Sequence, residues 1–536
     1  MKGFHNITSL GIATASVLLP YSGLAVAKAS NKPNIIFFIA DDMYPEMFNC
    51  LPEGKGKNLT PNIDRLAAEG VMLTNQYCVS PVSTASRYNC LTGNYASRAT
   101  NNKITDFTAT QEGQVVVQWN SYITPSDKTI ATYLKQMGYA TGFVGKNHVV
   151  DDPNQVDQNE KPDLMADPYN PLVKKKLIDA HTSLQNSIKK CGFDFADNLY
   201  HDNPDWLGIK ALNSQNMDWI TDAGLRFLNF SKKKPFFLYF ATTLPHAPNE
   251  PNRSWNANPR ITATGFLDKE LKVQPSRKSI EARIKKAGLE GKENLLWLDD
   301  ALGALINKLK KDGTYDNTII VFFNDNGQKA KGTLYQGGIK TQTIIWKSGG
   351  FSVGSKLDLA VSNVDFLPTL LELAGKPTER MNIDGVSFAS ALNGDKVGKR
   401  KTMYFELGYA RAVLKGKYKY LALRYPQWAL NYTPDQRKLM LEEYGLFRQS
   451  FGNERITNDY MLPYGHLEMF PGGGGAEHEV YGTKPGFFDA DQLYDLSTDP
   501  NELNNLAKDP NFAKKLDEMK AELKKYISTL PGKFNI

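Results

Sequence analysis

Asn34-Ile35-Ile36-Phe37-Phe38-Ile39-Ala40 is followed at once by two acids, Asp41-Asp42. A strand with one wet face alternates apolar and polar residues, so a run that is apolar at every step reads as a strand covered on both faces, in a parallel or mixed sheet. The two carboxylates then leave its carboxyl end, where open α/β sheets gather their ligands. The pattern recurs twice. Pro235-Phe236-Phe237-Leu238-Tyr239-Phe240 leads to Leu244-Pro245-His246-Ala247-Pro248, and Thr318-Ile319-Ile320-Val321-Phe322-Phe323 leads to Asn324-Asp325-Asn326-Gly327. Between them, Asn294 to Ile306 carries apolar residues at helical spacing. Strands alternating with helices predict an α/β fold, one large sheet flanked by helices.

Near residue 400 the character changes. Lys401 to Glu406, Ala412 to Leu414 and Lys417 to Leu421 are short strand candidates, the last two joined by Lys415-Gly416 as a hairpin. Phe512 to Leu530 reads as a charged amphipathic helix, so a smaller antiparallel sheet with a covering helix is expected. Residues 427–488 are polar, aromatic and glycine-rich, including Gly472 to Gly475, and read as a looped insertion. The expected divisions are a leader at 1–27, a large domain at 28–400 and a C-terminal subdomain at 401–536. A length of 536 residues fits such a two-part chain.

The first 27 residues combine a short basic start, an apolar stretch and Ala25-Val26-Ala27 as a small-x-small cleavage site, the pattern of a secretory signal peptide. Pro20, Ser22 and Gly23 interrupt the apolar part and shorten it below the ~20 residues of a spanning helix. An exported protein without stable membrane insertion is expected, in the periplasm or the medium. Cys50, Cys78, Cys90 and Cys191 are too few in a chain of this length for a disulfide scaffold, although they allow up to two bridges. The formal charge of +7 is mild. It is compatible with a polyanionic substrate, but on charge alone a solvated surface is the stronger reading, and no basic run with interleaved aromatics points to nucleic acid.

Cys78 to Gly93 reads CVSPVSTASRYNCLTG. If Ser83 begins a helix, the first-turn N–H groups face an incoming anion and Arg87 adds a charge one turn on. The competing reading is an ordinary helix cap. Asp41, Asp42, Asp325 and Asn326 all offer oxygen at strand ends and suit a hard divalent cation, although Asp-Asn-Gly alone is also a common turn. Lys146 and His148 fall on one side of an extended chain, and His246 lies between Pro245 and Pro248 at a strand end.

Together these stretches resemble the type I sulfatases, in which Cys or Ser, then x, Pro or Ala, x, Arg, leads to Leu-Thr-Gly, found here as Leu91-Thr92-Gly93. Gly138 to His148 resembles the family's Gly-Tyr-x-Thr…Gly-Lys-Trp-His, with Asn147 in place of Trp. Lys331 to Lys340 resembles Lys-Gly-x-x-x-Glu-Gly-Gly-x-Arg, with Gln336 and Lys340 replacing Glu and Arg. Asn363 to Leu370, Asp384 to Ser387, Leu493 to Leu496 and Asp499 to Glu502 extend the likeness to the end of the chain.

The resemblance implies an alkaline-phosphatase-like fold and a sulfuric ester hydrolase. It implies that Ser83 is converted by a serine-type maturase to formylglycine, whose hydrate is the nucleophile. Asp41, Asp42, Asp325, Asn326 and residue 83 would hold one calcium ion. Lys146 and Lys331 would bind sulfate oxygens, His148 would contact the formylglycine hydroxyl, and His246 would bind sulfate and donate a proton to the departing oxygen. A sulfated carbohydrate is the expected substrate, and the insertion residues His466 and His478 offer a sugar subsite or sit on a solvated loop. The rivals are a phosphoester or phosphonate hydrolase using unmodified Ser83, and a non-catalytic binder of sulfated glycans.

Overall fold

The computed structural model describes Met1 and residues 32–153, 163–395, 400–450, 452, 454–455, 458–460, 480 and 482–536. Apart from Met1, the leader read at 1–27 lies outside the described residues, as do His466 and His478.

The large sheet takes β1 (Asn34–Asp41), β2 (Val71–Tyr77), β3 (Ala140–Lys146), β4 (Phe195–Tyr200) and β5 (Phe236–Pro245) from the first half of the chain. A short ribbon, β6 (Ile261–Thr262) and β7 (Gly265–Phe266), stands apart. The large sheet then gains β8 (Thr318–Asn324), β9 (Lys340–Lys347), β10 (Ser355–Leu357) and β11 (Val361–Ser362). Its order is β10-β2-β9-β8-β1-β5-β3-β4, with β11 also on β2. β1 lies parallel to β5 and β8, and β9 runs antiparallel to both β8 and β2, so the sheet is mixed.

The apolar runs follow from position in this sheet. All residues of β1, β5 and β8 are buried. Ile35, Phe37 and Ile39 join one core with Tyr239 and Phe323, while Ile36, Phe38 and Ala40 join the opposite core with Phe240 and Phe322. Phe38 stacks on Phe240 at 4.9 Å and on Phe322 at 5.4 Å, so truncating it to alanine would cost about 3–5 kcal/mol. The helix Glu293–Lys311 packs its buried Leu296, Leu302 and Leu305 into this second core.

Register brings distant residues level. Ala40 pairs with Asn324, Asp41 with Pro245, and Gly145 with Ala241. The carboxyl ends of β1, β3, β5 and β8 therefore meet at one edge, and the segments beyond these four ends share one space.

The smaller sheet has the order β12 (Met403–Leu407), β13 (Ala410–Lys415), β14 (Tyr418–Leu423) and β15 (Asp491–Asp495), antiparallel throughout. Gly416, at φ 59°, makes the expected hairpin turn. Tyr404, Val413, Tyr420 and Leu493 meet Met519 and Leu523 of the helix Ala513–Ile527. The other face, with Phe405, Ala412 and Tyr494, joins the large core. The sheet is thus buried on both sides.

Two local readings are corrected. The stretch after Gln427 is not all loop: Pro434–Ser450 is a helix. Thr433 accepts from the Gln436 N–H at 3.3 Å, Pro434 suits a first helical turn, and Leu, Met, Glu and Arg sustain it. The extended chain also stops at Lys146, because His148 takes φ 47°. The four cysteines are free. Among the described residues no helix is long and apolar enough to cross a membrane.

Candidate active site

Ser83 opens the buried helix Ser83–Thr92, but Val82 is its N-cap and no side chain caps it. The capping alternative therefore does not hold. The Ser83 hydroxyl turns to the acids, with Oγ 2.6 Å from Asp325 Oδ2 and 3.3 Å from Asp41 Oδ1. One turn on, Arg87 Nη2 lies 3.1 Å from Asp41 Oδ1 and 3.5 Å from Asp325 Oδ2, with no part of its side chain exposed. Ser86 Oγ donates to the Asp325 carbonyl at 2.5 Å and so ties this helix to the end of β8.

β3 delivers Lys146, whose Nζ is 2.8 Å from Asp41 Oδ2. Beyond β5, His246 Nε2 is 3.5 Å from Asp42 Oδ2. Lys331, in the loop after β8, donates to the same Asp42 oxygen. Asn326 Nδ2 approaches Asp42 Oδ1 at 3.4 Å. His148 stands close enough to Lys146, Arg87 and Asp41 for their charges to act on it. The structure therefore brings together every expected core residue: Asp41, Asp42, Ser83, Arg87, Lys146, His148, His246, Asp325, Asn326 and Lys331.

The electrostatics follow from burial and neighbours. Burial works against ionising Asp41, but Lys146 and Arg87 outweigh it and hold this carboxyl well below the usual range. Asp42 is lowered as well, since Lys331 and His246 overcome its burial. Asp325 is the exception: burial and the adjacent Asp41 charge push its carboxyl up to about 7, against the pull of Arg87. Burial, with Lys146 and Arg87 nearby, holds His148 well below the usual imidazole value and so keeps it neutral. Lys331 is raised, because Asp42 and Asp325 outweigh its burial.

The donor set fits a hard divalent cation. Carboxylate oxygens of Asp41, Asp42 and Asp325 lie within 4.8 Å of one another, and the other candidates, Asn326 and Ser83, also offer oxygen. Three buried acids so close together are costly unless positive charge is added, and the raised Asp325 is the mark of that cost.

Sequence reasoning missed several members of the site. Asn324 clasps the turn after β1, accepting from Met43 N at 2.8 Å and donating to Met43 O at 3.0 Å. Gln328 Nε2 reaches Asp42 Oδ1 at 2.9 Å and Asn326 Oδ1 at 2.8 Å. Asp202, just beyond β4, lies 3.4 Å from His148 Nδ1 and 3.9 Å from Lys146 Nζ. The available signal was again a strand followed by polar residues, but β4 is an edge strand and only partly apolar, so its end did not stand out.

A sulfatase family model matches residues 33–376. The chain is 24% identical to N-acetylglucosamine-6-O-sulfatase of Bacteroides thetaiotaomicron, over 94% of this chain and 89% of that one. It is 26% identical to N-acetylgalactosamine-6-O-sulfatase of the same organism, over 92% and 94%. Its fold matches a solved structure described under the metabolism of multiple glycosaminoglycans by Bacteroides thetaiotaomicron, with TM-score 0.58 and 22% identity, over 93% and 99% of the two chains. A match over well more than half the chain, spanning β1 to β11 with Lys146 and Lys331, settles the family: this chain is a type I sulfatase, a sulfuric ester hydrolase.

Proposed function

We propose that this enzyme removes sulfate from a sulfated carbohydrate, with Ser83 processed to formylglycine by a serine-type maturase and one calcium ion held by Asp41, Asp42, Asp325, Asn326 and residue 83. The observation that carries this reading is the setting of Ser83: its Oγ is 2.6 Å from Asp325 and faces a site walled by Arg87, Lys146, Lys331 and His246. The sulfated-glycan part is supported by the relatives, two of which are named for 6-O-sulfated amino sugars.

When present, the aldehyde hydrate supplies a nucleophilic oxygen and a second hydroxyl on the same carbon, and calcium offsets negative charge at the reacting centre. The remaining work belongs to ordinary side chains. Arg87 and Lys146, anchored on Asp41, hold residue 83 and one side of the ester. Lys331 and His246, anchored on Asp42, take the other side and fix sulfur for in-line attack. His246, partly exposed at the mouth, protonates the departing sugar oxygen. His148, neutral and buried, takes a proton from the hydroxyl at residue 83 so that sulfate can leave.

The test is sulfate release by protein co-produced with a serine-type maturase, on sulfated mono- and disaccharides beside an aryl sulfate and phosphate diesters, with Ser83→Ala as control. Release from one sugar sulfate, absent in the variant, is expected, together with a mass loss of about two hydrogens at Ser83. Turnover of phosphate esters alone would overturn the substrate assignment, and an intact Ser83 in active protein would overturn the formylglycine step.

A further inference from the structure

We propose that Asp202 is a positioning residue for His148, holding its ring and deciding which ring nitrogen carries the proton. The proposal rests on the sulfatase reading, in which His148 accepts a proton from the hydroxyl at residue 83.

The loop that carries His148 is tied to the segment that carries Asp202. Asn147 N donates to Tyr200 O at 2.8 Å, and His148 N donates to His201 O at 2.9 Å. These two bonds continue the β3–β4 pairing past the strand ends and set Asp202 beside the imidazole. Asp202 Oδ1 lies 3.4 Å from Nδ1, which otherwise has no hydrogen-bond partner among the described residues. Asn147, the nearest amide in sequence, is engaged within its own loop, donating to Val150 O at 2.9 Å and accepting from Val150 N at 3.0 Å. Asp202 is itself oriented by Asn203 N, which donates to Oδ1 at 2.7 Å. A separation of 3.4 Å exceeds the roughly 2.7–3.2 Å of a formed bond, and such pairs commonly tighten when the site is filled.

The chemistry then rests on what each group can do. Burial raises the Asp202 carboxyl above its usual range, with Lys146 pulling it back down; in its ionised form it only accepts, so the pair closes only if Nδ1 carries the proton. A neutral imidazole with Nδ1–H has a free lone pair on Nε2, the form that can take a proton from a hydroxyl. The opposite tautomer presents an N–H at Nε2 and cannot. His148 is neutral here, so the choice of tautomer matters, and Asp202 is the group placed to make it. The backbone strain at φ 47° fits a residue whose side-chain aim is fixed by its surroundings.

The test reads the tautomer directly. Full-length protein with unmodified Ser83 is labelled with nitrogen-15 at its seven histidines, and a His148→Gln variant identifies the relevant ring. The expected wild-type result is a protonated Nδ1 and a bare Nε2. In Asp202→Asn the amide can donate to Nδ1, and the proton is expected to move to Nε2. With matured protein, Asp202→Asn should lower kcat by roughly 100-fold with little change in KM, and Asp202→Glu should restore part of the loss. A wild-type His148 protonated on Nε2 would overturn the proposal without any variant. So would an Asn variant with an unchanged tautomer and kcat within about threefold of wild type. The nitrogen measurement needs no turnover, so wild-type protein that releases no sulfate would count against the proposed function and leave the Asp202 result to be read separately.

Discussion

Glu502→Gln is expected to weaken both the fold and the grip on Lys331. Glu502 and Lys419 form an ion pair with side-chain exposures of 1% and 0%. The pair braces the loop after Lys331: Lys419 Nζ donates to Leu334 O at 2.6 Å, and Glu502 Oε2 accepts from Gln336 N at 2.6 Å. Tyr335, between them, donates to Gln492 Oε1 at 2.9 Å. Removing one partner of a buried pair costs about 3–5 kcal/mol, because the other charge is left without compensation. Glutamine keeps the volume and can still accept from Gln336, so a loss near the lower end, about 3 kcal/mol, is expected.

The double variant Glu502→Gln with Lys419→Met removes the stranded charge and forfeits about 1 kcal/mol at Leu334 O, so it should be more stable than the single variant. Burial already pulls the Lys419 ammonium below its ordinary value despite Glu502, and losing Glu502 pulls it further. The unfolded chain then binds the proton more readily than the folded one, so stability rises with pH between the two values. The deficit of the single variant should therefore shrink from pH 7 to pH 9. Urea unfolding monitored by tryptophan fluorescence measures this, and sulfate-release kinetics should show a raised KM. A single variant within about 1 kcal/mol of wild type, with no gain in the double, would refute the reasoning.

Gly145→Ala is expected to cost more than about 3 kcal/mol or to abolish soluble protein, since φ is 85° and an added Cβ would lie 1.9 Å from the Ala241 carbonyl oxygen; thermal melting checks it, and wild-type stability would count against the pairing described. Chelation should abolish sulfate release and lower the melting temperature, and calcium, not zinc, should restore both if the oxygen-only donor set is read correctly. Burial raises the Asp491 carboxyl, but Arg424, Lys520 and Tyr420 outweigh it and bring it to about 2. A depressed carboxylate contributes stability that is present above its unfolded value of ~3.9 and is lost as pH falls toward 2. Asp491→Asn should therefore destabilise by about 1 kcal/mol at pH 7, a figure reduced for partial exposure, and by almost nothing at pH 2, as denaturant melts at the two pH values would show.

The centre of the large sheet is readable in the sequence because β1, β5 and β8 are covered on both faces, so their apolar runs are unbroken and the polar residues at their ends are conspicuous. Legibility faded toward the edges. β4 has a neighbour on one side only and is interrupted by Asp197 and Asn198 in its middle, which hid Asp202. β15 completes the smaller sheet from beyond the insertion, and its pairing with β14 is a contact across more than sixty residues that no local pattern encodes. The helix Pro434–Ser450 was obscured by the glycine-rich, aromatic composition of the wider segment.

What no pattern in the sequence conveys is how the acids and cations of the site divide. Asp41 serves Arg87 and Lys146, and Asp42 serves Lys331 and His246, so each of these side chains is already held in place before an anion arrives. The side chains alone carry no excess of positive charge, since Asp41, Asp42 and Asp325, with Asp202 beside Lys146, face Arg87, Lys146 and Lys331 while His148 is neutral. On the proposed reading, a divalent ion tips that set toward positive charge, which suits a sulfate ester and its transition state. The same count assigns different burdens to the two acids after β1. Loss of the Asp41 charge takes the nearest carboxylate from two fully buried cations next to residue 83, Arg87 and Lys146, whereas loss of the Asp42 charge leaves the partly exposed Lys331 and His246 at the mouth without theirs. Asp41→Asn should accordingly injure the fold as well as turnover, and Asp42→Asn chiefly turnover, because buried charges without partners are paid for in stability and exposed ones are not.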